Sequence, residues 1–275
     1  MIRAALGPTA GAVLWAALSA SGSEAVEIDA TGLYDLPPAD IVVLGEVHDN
    51  PVHHAHQAIA VEAIAPRAIV FEMLSPDQAG RITPALLASE PALGAVLGWD
   101  AAGWPDFGMY YPVFLAARGA AFRGGTETVA AARQAVRDGA AAVFGEGAEA
   151  FALDRPLPEV ERALRIEEQR VAHCDALPDD LLPGMVEAQR LRDAWLARAT
   201  LAAHAETGGP VVVITGNGHA RTDWGVPALL AAAAPGLSVL SVGQYEEAAD
   251  AAPPFDLWLV TEAAARADPC KDLRP

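Results

Sequence analysis

IVVLGEVHDNPVHHAHQAIAVEAIAPRAIVFEM, residues 41–73, decides the fold. It opens on four consecutive apolar residues, Ile41-Val42-Val43-Leu44, and closes on a second such run, Ala68-Ile69-Val70-Phe71. Unbroken apolarity, in place of apolar–polar alternation, marks strands covered on both faces, the pattern of a parallel sheet flanked by helices. Between the runs, Asn50 can cap a helix whose first position is Pro51, where the missing N–H costs nothing, and Pro66 closes it. Strand, helix and strand in about thirty residues make one βαβ unit with a right-handed crossover.

Outward from this unit, the runs at 211–214 (VVVI) and 237–240 (LSVL) repeat the pattern, and 256–260 (DLWLV) predicts an edge strand near the end. Weaker strand candidates are 120–123 and 140–144, each followed by glycine. The long middle, 76–209, is rich in Ala, Leu, Glu and Arg. It reads as several helices forming an insertion beside the sheet, the longest at 179–206 and interrupted near Pro183-Gly184. The fold class is therefore α/β, a mostly parallel sheet flanked by helices, with residues 23–275 as a single domain.

With 36 acidic and 18 basic side chains the formal charge is −18, which repels phosphate backbones and anionic headgroups, so nucleic acid is not expected as a partner. Residues 1–22 carry one early charge, Arg3, then the apolar run 11–18 and small residues ending in Ala20-Ser21-Gly22, a signal-peptide layout. The run is too short to span a bilayer. No cysteine stands near the small-residue site, so a lipid anchor is not expected and the mature product is expected in the periplasm or an equivalent exported compartment. Cys174 and Cys270, the only cysteines, allow one disulfide in such a compartment, with two buried thiols as the alternative.

Chemistry gathers where ligands bind in parallel sheets, beyond the carboxyl ends of the strands. Gly45, Glu46, His48 and Asp49 follow the first strong strand, Glu72 the second, and Gly216, Asn217, Gly218, His219 and Arg221 the run at 211–214. The spacing Gly-x-x-His occurs twice, at Gly45–His48 and Gly216–His219. Imidazoles and carboxylates in one place suit a transition metal held by Glu46, His48 and His219, or hydrolysis with Glu46 as base alongside His48, Glu72 and His219. The bland alternative is that these carboxylates cap helices or pair with arginines.

Four of the seven histidines, His48, His53, His54 and His56, lie within nine residues. On a helix at most two of the imidazoles share a face, so one structural metal site is not implied. Two of the four tyrosines, Tyr110 and Tyr111, sit in the aromatic stretch at 104–112. A phenol-bearing aromatic patch can receive a macrocycle and ligate ferric haem, and it can equally close a hydrophobic core.

LGEVHDNPVHHAHQ within 41–57 resembles the opening signature of the ChaN-like haem-binding uptake family in the Tiki superfamily. The likeness continues through FEM at 71–73, the aromatic block at 99–112, AHC at 172–174, AQRLRDAWLA at 188–197 and GNGHARTDWGVP at 216–227. It implies an α/β fold with a helical subdomain and an exported protein of haem or iron uptake. It further implies haem held between two subunits, in a homodimer, through tyrosine and histidine. The corresponding cofactor candidates are Tyr111, Tyr110, His53 and His54. Kinship with Tiki proteases and erythromycin esterases implies the alternative, a metal-dependent hydrolase using a divalent ion at the paired Gly-x-x-His sites.

Overall fold

The computed structural model describes residues 25–249, 252–268 and 270–271; the expected signal peptide lies outside them. Seven strands are present among these residues: Val26–Glu27 (β1), Ile41–Leu44 (β2), Ala68–Phe71 (β3), Ala121–Gly124 (β4), Val211–Ile214 (β5), Val239–Glu246 (β6) and Leu257–Thr261 (β7). They form one all-parallel sheet in the order β1-β7-β6-β2-β5-β3-β4. The helices are Pro51–Ile64 (α1), Pro76–Gly80 (α2), Pro84–Leu87 (α3), Glu90–Leu97 (α4), Trp99–Ala102 (α5) and Phe107–Ala116 (α6). Val129–Asp138 (α7), Ala140–Phe144 (α8), Glu159–Ala172 (α9), Leu182–Thr207 (α10), Asn217–Ala220 (α11) and Val226–Ala233 (α12) complete them.

The βαβ reading of 41–73 holds. The Asn50 side chain accepts from Val52 N, Pro51 opens α1, and Ala65 ends it in the left-handed region. The two strands it joins are not neighbours, because β5 lies between them. Val42, Leu44, Ile69, Phe71, Val212 and Ile214 face one core with α1 and α6, while Ile41, Val43, Val70, Val211 and Val213 face a second core with α10. Covering both faces is what made these strands apolar throughout.

Several expectations change. Ala140–Phe144 is helix, not strand: a five-residue apolar run is ambiguous in period, and three alanines favour helix. The strand expected at 237–240 begins at Val239 and continues to Glu246. β7 is interior, flanked by β6 and β1. The helix expected to break near Pro183 instead starts there, with Pro183 in its first turn, and runs unbroken to Thr207. The helical middle of the chain packs on both faces of the sheet: α4 and α6 on one, α8 and α10 on the other, and β4 extends one edge. Cys174 and Cys270 are joined in a disulfide that ties the end of α9 to the C-terminal segment.

Candidate functional site

Leu44 and Phe71 both stand in register with Ile214, so β2, β5 and β3 end level. The residues that follow therefore emerge side by side, bringing Glu46 and His48, Thr215 to His219, and Glu72 together above the centre of the sheet. The loops are braced by amides. Gln57 Nε2 donates to Leu44 O at 3.2 Å, Gln244 Nε2 to Gly45 O at 2.9 Å, and Gln244 N to Asn217 Oδ1 at 3.1 Å.

Glu46 is 2% exposed. Its Oε1 accepts from the Tyr110 hydroxyl and from His48 Nδ1, each at 2.7 Å, and Oε2 contacts His54 Nδ1 at 3.3 Å. Burial would raise its pKa, but hydrogen bonds from His48 and His54 outweigh that and hold it at about 2. His54 Nε2 donates to the His48 carbonyl at 2.8 Å, while its Nδ1 faces oxygens of Glu46 and Gln57. An imidazole surrounded by acceptors favours its protonated form, and although burial opposes the charge, Glu46 raises the His54 pKa.

His48 is the open member. Its side chain is 35% exposed, and the Nδ1–H to Glu46 leaves Nε2 as the free ring nitrogen. Nε2 lies over Gly216, where a Cβ would stand 2.8 Å from it, so a larger residue there would have to displace the His48 ring. The Trp104 ring lies 5.1 Å away, centroid to centroid. Burial lowers the His48 pKa, but the Glu46 hydrogen bond and the charges of Glu72 and Glu46 more than offset it, with a net increase.

The second Gly-x-x-His is arranged differently. Glu72 Oε2 accepts from Thr215 Oγ1 at 2.7 Å and Gly216 N at 2.9 Å. His219 Nδ1 meets Asp193 Oδ1 at 2.6 Å, and its Nε2 lies 3.4 Å from Glu72 Oε1. Burial opposes the charge on His219, but the two carboxylates dominate and bring its pKa to about 10. His219 is thus an imidazolium between two acids, and Glu72 is held well below the carboxylate range. Asp193, 2% exposed in α10, was not among the sequence candidates. It stands within the AQRLRDAWLA block at 188–197.

Glu46, His48, Glu72, Asp193 and His219 line one cavity of about 540 Å³, closed by α9 and α10 and flanked by Trp104 and Trp224. Of the expected metal ligands, only His48 presents an open nitrogen. Glu46 is engaged with Tyr110 and His48, and His219 has carboxylates at both nitrogens. Among the described residues no group of three or more His, Cys, Asp and Glu side chains is placed to hold a metal ion. Glu46 is also badly placed as a base, since Oε1 accepts from Tyr110 and His48 and Oε2 is buried against His54; the group that opens on the cavity is His48 Nε2.

Three of the four haem-ligand candidates are in the interior. Tyr110 is fully buried against Trp99, Phe114 and His54. Burial and the neighbouring Glu46 push its phenol pKa far up, so it remains a neutral donor. His53 accepts from Val47 N at Nδ1, 2.9 Å, and reaches Thr261 Oγ1 through Nε2, 2.9 Å; burial lowers its pKa to about 4. His54 is likewise committed. Tyr111, half-buried, donates to Leu87 O at 2.9 Å. The aromatic block thus closes a core, with Trp104 at its cavity end. The donor set that does fit haem is His48, an imidazole oriented by a carboxylate with one nitrogen open, beside Trp104 and with Arg192 in the same cavity wall.

Comparison with known proteins agrees with this architecture. The family described as haem-binding uptake, Tiki superfamily, ChaN matches residues 33–230. Among solved structures, ChaN of Campylobacter jejuni, described for its cofacial haem binding, is 16% identical. The superposition covers 83% of this chain and 89% of that one, with a TM-score of 0.59, a likeness of fold. The type III effector HopBA1 is 14% identical over 86% of this chain and 92% of its own, with a TM-score of 0.44. No curated protein matches the sequence. The matched span contains the level strand ends, the paired Gly-x-x-His segments and Asp193, and the chain belongs to the ChaN family of haem-binding uptake proteins in the Tiki superfamily.

Proposed function

We propose that this chain is an exported haem-binding protein of haem or iron uptake, and that His48 is its iron ligand. The observation that carries the reading is the Glu46–His48 pair: the buried carboxylate fixes the tautomer and leaves Nε2 facing the cavity. Haem would be held through its iron by the His48 imidazole and would supply the iron centre itself. Trp104 offers a ring to pack beside the macrocycle. Arg192, which has no ion pair among the described residues, offers a cation to its carboxylates.

Export is supported by the Cys174–Cys270 disulfide, which persists in oxidising compartments. No helix among the described residues is long and apolar enough to cross a membrane. A homodimer is supported by Val160, Leu164 and Val171, all more than half exposed and spaced to share one face of α9.

Titrating the purified protein with hemin tests the reading. The expected result is a saturable Soret shift, weakened about tenfold or more by His48→Ala or Glu46→Gln. A titration that shows no saturable shift, or identical affinity in His48→Ala, contradicts it.

A hydrolytic reading has its own observation, the Glu72–His219–Asp193 chain beside an open His48. In that reading His48 Nε2 is the base and Glu46 orients it, while the Glu72–His219–Asp193 chain holds the facing wall of the cavity in place. Turnover of a simple aryl ester that is abolished by His48→Gln supports it; turnover unchanged in that variant removes it.

A further inference from the structure

A second chamber of about 340 Å³ adjoins the cavity of the Glu46–His48 pair, and Arg165, Asp193 and Trp224 line both. Its wall is largely apolar, built from Leu153, Leu157, Ala228 and Leu229 between the segment before α9 and the helix α12. The charged groups at the partition are already compensated. Arg165 Nη2 donates to Glu161 Oε1 at 2.5 Å, Asp193 is held by His219 at 2.6 Å, and Asp223 pairs with Arg221 at 2.6 Å. The charged groups at the partition thus leave no counter-ion there for a charged ligand, Arg155, unpaired among the described residues, standing at the chamber's exposed side and Arg192 in the larger cavity, and the apolar wall disfavours charge further.

Two hydrogen-bonding atoms on α9 remain uncommitted. Arg165 is 8% exposed and Gln169 7%, and neither Arg165 Nε nor Gln169 Oε1 has a hydrogen-bond partner among the described residues. The two residues are i,i+4 neighbours on the same face of the helix, one offering an N–H and the other an acceptor. An N–H beside a carbonyl is the complement of a carboxamide, whose oxygen accepts from Arg165 and whose N–H donates to Gln169. Buried polar groups left without partners are costly, so this pair, with Arg165 lining both chambers and Gln169 the larger one, points to a ligand.

We propose that α9 and the apolar chamber form a binding site for a neutral amide carrying an alkyl or aryl group: the carboxamide sits between Arg165 and Gln169, and the apolar group fills the chamber bounded by Leu153, Leu157 and Leu229. This site needs neither haem nor hydrolysis, and its ligand differs from haem in charge and size.

Isothermal titration of the haem-free full chain with hexanamide, hexanoate and hexylamine tests it. The expected result is saturable binding of hexanamide, with the anion and the cation weaker by about tenfold or more. Leu229→Trp, which fills the chamber from a half-buried position, is expected to weaken hexanamide by about tenfold with the thermal midpoint retained, and Gln169→Met to do the same by removing the acceptor. Absence of saturable hexanamide binding, equal binding of a charged probe, or wild-type affinity in Leu229→Trp overturns the proposal.

Discussion

A carboxylate loses its hydration on burial and persists as an anion only where donors replace the lost water. Glu46 has three groups for this, Tyr110, His48 and His54, drawn from α6, the strand-end loop and α1. Glu46→Gln removes the charge that both imidazoles answer, and is expected to destabilise the fold by about 3 kcal/mol, read from chemical denaturation. It is also expected to lower the pKa values of His48 and His54 in an NMR titration. Unchanged titration of both rings counts against this account of the site. At this scale the sequence was informative about residue types and silent about partners. Every histidine of the cluster was visible, yet the period of a helix could not say that His53 and His54 would be turned inward and satisfied by Val47, Thr261 and the His48 carbonyl. Asp193 escaped because it lies 26 residues before its partner, and nothing in the AQRLRDAWLA block around it says that it would meet His219.

Elements carry these residues to one place by ending together. The register that levels β2, β5 and β3 places Gly216 under the His48 ring, so Gly216→Ala tests whether the close approach is required. The expected outcome is a folded protein, with an unaltered circular dichroism spectrum, whose His48 ring is displaced and whose hemin affinity falls about tenfold; full affinity would show that the ring has room to spare. The helix α9 walls the cavity, and its end is bound to the C-terminal segment through Cys174 and Cys270, 96 residues apart. Replacing both cysteines by serine is expected to cost about 2–5 kcal/mol, measured as a shift in the denaturant midpoint. The strands of the central sheet were legible because burial on both faces writes an uninterrupted apolar run. The helix at 140–144 was misread for the same reason, since five apolar residues fit either period.

Across the whole molecule, the buried histidines and carboxylates set a stability profile with pH. His219 has a folded pKa of about 10 against 6.5, so its contribution is complete below pH 6.5 and is lost as pH rises toward 10. His53, at about 4 against 6.5, contributes above pH 6.5 and loses this as pH falls to 4. Glu46, at about 2 against 4.5, adds a further loss as pH falls below 4.5. Thermal midpoints are therefore expected to peak near pH 6.5 and decline on both sides; a midpoint that holds steady from pH 7 to 10 contradicts the imidazolium at His219. The layered α/β plan and the placing of chemistry at the strand ends were readable in advance, because both follow from apolar runs and the loops after them. How the middle of the chain divides between the two faces was not, since that depends on pairings across more than a hundred residues. The central claim is that His48, backed by Glu46, is the group that meets haem iron. Pulsed electron paramagnetic resonance of the ferric haem complex tests it directly. The account predicts coupling to an axial imidazole nitrogen that is present in the wild type, kept in Tyr110→Phe and lost in His48→Ala; an axial histidine signal that survives His48→Ala, or is absent from the wild type, contradicts it.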